Sequence, residues 1–145
     1  MIKTPIFWYD KSFISKLKTY LLSPLSIIWI IASRIKIILS HPYKSKLKVI
    51  CIGNLTIGGT GKTPFAINVF KLLKNIGYNP VFLTRGYGGG NHGPLEVKTN
   101  HTHFDIGDEA LLLSNIGTTI VSKNRSNGAK FIENDDRNFD IIIMD

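Results

Sequence analysis

Eight residues, TIGGTGKT from Thr56 to Thr63, constrain the fold of this chain more than any other feature. An apolar run over Leu47–Ile52 precedes them, and apolar residues at helical spacing follow at Phe65, Val69, Phe70, Leu72 and Leu73. A glycine-rich turn between a strand and a helix is the setting a phosphate-binding loop requires. Glycines 58, 59 and 61 allow several backbone N–H groups to face one anion, and the positive end of the helix adds to them. Lys62 is placed to reach the β- and γ-phosphates of a nucleoside triphosphate as a mobile charge. Thr63 supplies the hydroxyl that Mg²⁺ takes beside the same phosphates. The expected ATP-binding residues are therefore Thr56, Ile57, Gly58, Gly59, Thr60, Gly61, Lys62 and Thr63. Thr56 stands where the G-x-x-x-x-G-K-[ST] pattern has its first glycine. Gly59 and Gly61 also begin a dinucleotide fingerprint, but Pro64 occupies its last position, which disfavours NAD. Pro64 fits the first turn of a helix, where a missing N–H does no harm.

The same alternation continues downstream. Strands are expected at Leu47–Ile52, Asn79–Leu83, Thr118–Ser122 and Phe139–Met144, and helices at Lys62–Asn75, Asp108–Asn115 and Arg125–Asn134. Strands rich in Val and Ile that are separated by helices imply an α/β fold of the P-loop NTPase type, a mostly parallel sheet covered on both faces. At 145 residues, 43% apolar and 19% charged, the chain has material for one packed domain. That domain is placed at residues 47–145, behind an N-terminal segment of residues 1–46 that ends in the polar connector HPYKSKLK.

The net charge of +8 lies wholly in residues 1–48, which hold nine Lys/Arg against one Asp, while residues 49–145 hold nine of each sign. Basic residues interleaved with Trp, Tyr, Phe and Ile suit an anionic membrane surface better than a nucleic-acid groove, so no nucleic-acid partner is expected. Within Tyr20–Ser40 the uninterrupted apolar core is Leu21–Ser33, short of the about 20 residues a spanning helix needs. The favoured reading is a helix lying in the membrane interface, with Phe7, Trp8, Tyr9 and Trp29 as anchors. A buried core helix is the alternative. A cleaved signal peptide is disfavoured, because no small-x-small site precedes the return of basic residues.

The run FDIIIMD ends in Asp145, an acid at the tip of a strand, where P-loop enzymes hold Mg²⁺. Arg85 and Arg125 are candidate contacts for a phosphate or an acidic substrate. His101 and His103 share a face of an extended segment but lack a third ligand, so a loop is the better reading. His41 and His92 carry no signal. Cys51, the single cysteine, sits in an apolar run and reads as a small buried residue on the reducing side of a membrane.

The segments IGNLTIGGTGKTP (Ile52–Pro64), TRGYGGG from Thr84, GDEALLL from Gly107 and RSNGAK from Arg125, with LLSPLS near the N-terminus, resemble the tetraacyldisaccharide 4'-kinase family across essentially the whole sequence. That family's own loop begins with Thr. The resemblance implies ATP-dependent, Mg²⁺-assisted phosphorylation of the 4'-hydroxyl of a tetraacylated glucosamine disaccharide 1-phosphate. The setting it implies is lipid A biosynthesis at the cytoplasmic face of the inner membrane. It also implies catalytic roles for Lys62 and for Asp108 as the base toward the sugar hydroxyl, with Glu109 assisting Mg²⁺ beside Thr63 and Asp145. Without the resemblance, Asp108 and Glu109 read as an acidic first turn favoured by the helix dipole. Ala110 stands where the family has Pro, and the family continues past Asp145 with a second Asp and a D-G-x-Q segment. The sequence therefore reads as the N-terminal part of such a kinase. A membrane-surface nucleotide switch, or a remnant without function, is the alternative.

Overall fold

Four of the five strands are short runs of Val, Ile, Leu and Phe, and three of them are buried on both faces of the sheet, where no polar alternation is needed. A computed structural model describes residues 12–39, 42–53 and 61–145. The chain forms two compact units, residues 1–42 and 43–145. The division thus falls ahead of the expected one at Lys46. Residues 43–46 join the second unit because the Tyr43 hydroxyl, the Ser45 hydroxyl and the Lys46 N–H all donate to the Glu133 carboxylate.

Among the described residues the first unit is one helix, α1 (Phe13–Leu39). It outruns the expected apolar core, passing through Arg34 and Lys36, both good helix formers. The stretch Tyr20–Leu39, of mean hydropathy 1.7, is long and apolar enough to cross a membrane by length and composition. That corrects the expectation of a helix too short to span. Pro24 sits inside α1 and has no N–H for the Tyr20 carbonyl, and the Ser23 hydroxyl donates to that oxygen at 2.8 Å. The expected anchors Phe7, Trp8 and Tyr9 lie outside the described residues, as does His41.

The second unit is built from β1 (Lys48–Cys51), α2 (Lys62–Asn75), β2 (Pro80–Thr84), β3 (Leu95–Glu96), α3 (His103–Ile106), α4 (Asp108–Ser114), β4 (Thr119–Val121), α5 (Arg125–Glu133) and β5 (Ile141–Met144). The sheet order is β1-β5-β2-β4-β3, parallel except for the antiparallel β3–β4 pair. The α/β reading with a mostly parallel sheet therefore holds. On one face Val81, Leu83, Ile120 and Ile142 pack against Ala129 and Ile132 of α5. On the other, Phe82, Ile143 and Ile52 meet Ala66 and Phe70 of α2 and Leu113 of α4, with the Phe70 and Phe82 rings stacked at 4.5 Å. Cys51 is exposed, against expectation, because β1 is an edge strand, none of whose four residues is fully buried. The apolar run around it identified a strand without saying that the strand would be outermost.

Candidate functional site

Parallel pairing sends the loops after β1, β5, β2 and β4 to one end of the sheet, the end where α/β folds bind ligands. The expected loop residues Thr56, Ile57, Gly58, Gly59 and Thr60 lie outside the described residues. Gly61 is the N-cap of α2, in the left-handed region at φ 76°, and Lys62 opens the helix with its side chain exposed. Thr63, in the first turn, donates its hydroxyl to Glu109 Oε1 at 2.6 Å. That bond joins the mouth of α2 to the first turn of α4 across 46 residues of chain.

Asp145 follows β5, which lies directly beside β1. Its N–H donates to the Leu83 carbonyl, and the Arg125 guanidinium donates to its own carbonyl at 2.7 Å. Burial, then a hydrogen bond and charge repulsion from Glu109, push the Asp145 carboxyl up to about 6, against the pull of Lys62 and Arg125. Its Oδ2 is buried without a hydrogen-bond partner among the described residues. Two carboxylates driven together, one with an orphaned oxygen, next to a threonine hydroxyl make a hard oxygen donor set. Mg²⁺ characteristically takes one or two carboxylates along with phosphate oxygens, so these residues fit it. Among the described residues no group of three or more His, Cys, Asp and Glu gathers. His101 accepts from the Lys98 N–H through Nδ1, and the His103 ring lies 3.8 Å from that of Phe104. Neither histidine is arranged as a metal ligand.

Asp108 is the exposed first residue of α4, next to Glu109 in the chain. Its position depends on Gly107, at φ 84° and ψ 154°, where a Cβ would come within 2.2 Å of the Tyr87 carbonyl oxygen. Gly89 is equally cramped: a Cβ there would stand 2.6 Å from the Ile106 backbone. Gly90 and Asn91 donate their N–H groups to the carbonyls of Phe104 and Asp105. The RGYGG and GDE segments are thus pressed backbone to backbone, which only glycine permits.

The two arginines have different surroundings. Arg125 is half-buried, bonded to the Asp145 backbone, and lowered from its ordinary pKa by burial and by the charge of Arg85. Arg85 is exposed at the end of β2. Sequence reasoning missed β3 and α3, although Thr102 and Asp105 cap α3 reciprocally, a spacing readable in THFD. It also missed His92 and Lys123, which line one cavity with Arg85.

Residues 18–145 match the model of the family described as tetraacyldisaccharide-1-P 4'-kinase. A tetraacyldisaccharide 4'-kinase of Allorhizobium ampelinum is 40% identical over 99% of this chain and 41% of its own length. That of Parvibaculum lavamentivorans is 43% identical over 88% of this chain and 38% of its own. The crystal structure of the "apo" form of LpxK from Aquifex aeolicus in complex with ATP superposes with a TM-score of 0.66. It shares 26% identity, over 86% of this chain and 42% of that one. The chain spans about two-fifths of the length of the curated relatives it matches.

Proposed function

The chain belongs to the tetraacyldisaccharide-1-P 4'-kinase family, and from that premise we propose that it carries the nucleotide-binding half of a lipid A 4'-kinase. In this reading the γ-phosphoryl group of ATP passes to the 4'-hydroxyl of a tetraacylated disaccharide 1-phosphate. The observation that carries it is the bond from Thr63 to Glu109 with Asp145 alongside, because it gathers the phosphate-loop end and both acids at one point.

Lys62, exposed at the head of α2, holds the β- and γ-phosphates. Thr63, Glu109 and Asp145 would hold Mg²⁺, which would neutralise negative charge on the triphosphate. Asp108 accepts the proton of the attacking hydroxyl, a role that suits an exposed acid at a helix start adjoining the site. Glycines 107 and 89 keep that carboxylate in place by locking the two loops together. Helix α1, with its long exposed apolar stretch flanked by lysines and an arginine, brings the unit to the cytoplasmic face of the inner membrane, where a lipid acceptor is met.

The test is a kinase assay on the lipid A disaccharide precursor, run beside a fluorescent-nucleotide titration of Lys62→Ala. Loss of nucleotide binding in the variant is expected, since one charged donor to a phosphate is removed. Unchanged affinity would refute the assigned role of Lys62. Phosphate release with no lipid product would favour a membrane-surface switch instead.

A further inference from the structure

Helix α2 is apolar on two sides. Ala66 and Phe70 are buried against the sheet. Phe65 and Leu72, with Ile76 at the C-cap, form a second stripe that is 59%, 61% and 61% exposed. Their spacing along the sequence keeps them on one face of a helix. A helix that covers a sheet needs one such stripe, and the second is left over.

The stripe borders an open edge. Among the described residues β1 is outermost in the sheet and pairs only with β5. Just past β1, Ile52 donates its N–H to the Met144 carbonyl of β5 at 2.8 Å. Backbone groups alternate in direction along a parallel strand, so those of Val49 and Cys51 point away from β5. Both residues are exposed. An open cavity of about 460 Å³ runs beside this edge, walled by Ile50, Cys51 and Ile52 on the strand side and by Lys62 and Phe65 on the helix.

Unmet hydrogen bonds thus lie next to unmet apolar surface, and native sheets rarely leave such an edge bare. A bilayer does not answer both needs, since lipid offers strand amides no partner. A polypeptide does, by adding a strand to β1 while its side chains cover α2. Charge narrows the chemistry further. Between Asp10 and Glu96 the sequence contains no Asp or Glu, and Lys48, Lys71 and Lys74 stand exposed on β1 and α2. In a two-fold dimer of this chain the same patch would meet itself, setting lysines against lysines. The occupant that fits brings carboxylates instead. The relatives supply the length, for about three-fifths of the Allorhizobium and Parvibaculum kinases has no counterpart in this chain.

We propose that this surface docks a polypeptide equivalent to that downstream three-fifths, and that the union forms without a covalent link. One strand of the incoming polypeptide pairs with β1, and apolar side chains interspersed with carboxylates lie over α2. The inference rests on the family assignment and is independent of the kinase reading.

The test co-expresses the full chain with the downstream three-fifths of the Allorhizobium ampelinum kinase. A one-to-one complex is expected by native mass spectrometry, with amide exchange at Val49 and Cys51 slowed about tenfold or more. Val49→Pro removes an N–H that faces away from β5, and Leu72→Lys alters an exposed side chain, so both variants keep the fold. Each should weaken the complex about tenfold or more. No complex between two soluble parts would overturn the proposal, as would a complex indifferent to both variants. A dimer of this chain by itself, with Val49 and Cys51 protected, would give the surface to a second copy and overturn it as well. Where the downstream part is insoluble on its own, the same exchange is read with the two parts joined through a glycine–serine linker, and unslowed amides there are equally fatal.

Discussion

Helix α1 and strand β2 are both apolar, and they meet opposite ends. Between Leu21 and Ile31 the large side chains of α1 are exposed all round, with Ile28 at 65% and Trp29 at 75%, whereas all five residues of β2 are buried. The difference lies in the backbone. A helix satisfies its own N–H and C=O groups and can present apolar surface in every direction, while a strand must find neighbours that also cover its side chains. Hydropathy therefore marks both segments alike, but only β2 uses it to stabilise the fold. The surface of α1 is left for a different solvent, which is why the proposed role gives it to the bilayer.

Substitutions that grade burial sharpen this contrast. The largest effect is expected from Phe82→Ala, which removes a ring stacked on Phe70 at the centre of the sheet. About 3–5 kcal/mol of unfolding free energy should be lost, measured by urea denaturation of the full chain. A smaller loss would mean that the second unit is loosely packed and the contrast overstated.

Next comes a pH effect at Asp145. Its carboxyl is raised to about 6 in the folded chain from an ordinary 3.8, so the folded state holds the proton more tightly than the unfolded one. This contribution is complete at about pH 4 and below, and it is lost as pH climbs through about 6. Discounted for solvent screening of a half-exposed group, it amounts to about 1–2 kcal/mol. Asp145→Asn should flatten that part of the pH–stability curve, and added Mg²⁺ should lower the midpoint in the unaltered chain. A midpoint that ignores Mg²⁺ would count against the proposed metal site.

Asn124→Ala should cost roughly 1 kcal/mol, because the Asn124 side chain caps α5 by accepting from the N–H groups of Ser126 and Asn127. Smallest of all, Ile28→Ser in α1 should move the urea midpoint by less than about 0.5 kcal/mol equivalent, as exposed sites do. The same change should weaken binding to anionic phospholipid vesicles. A large loss of stability from Ile28→Ser would break the comparison, since α1 would then be part of a water-facing core.

Much of the second unit was legible because its signals are local. Helix α2 runs from Lys62 to Asn75 as expected, since Pro64 suits its first turn and the apolar spacing continues to Leu73. Asp145 was placed beside the phosphate-loop strand by a single feature, an acid ending an Ile run, and β5 does adjoin β1. What escaped is short or non-local. Two residues, Leu95 and Glu96, cannot express an alternation, so β3 left no period to read. His92 and Lys123 come together because β3 pairs antiparallel with β4, a pairing of the tertiary fold that no spacing along the chain encodes. The exposure of Cys51 is of the same kind, since strand order decides which apolar run stands at the rim.

The backbone contact between the RGYGG and GDE segments has a consequence for how such a chain can change over generations. With no side chain at the interface to trim or enlarge, neither loop can absorb an insertion or a bulkier residue made in the other. The two segments should be inherited as a single block, and variation should be confined to positions such as His92 and Lys123 on the cavity rim around it.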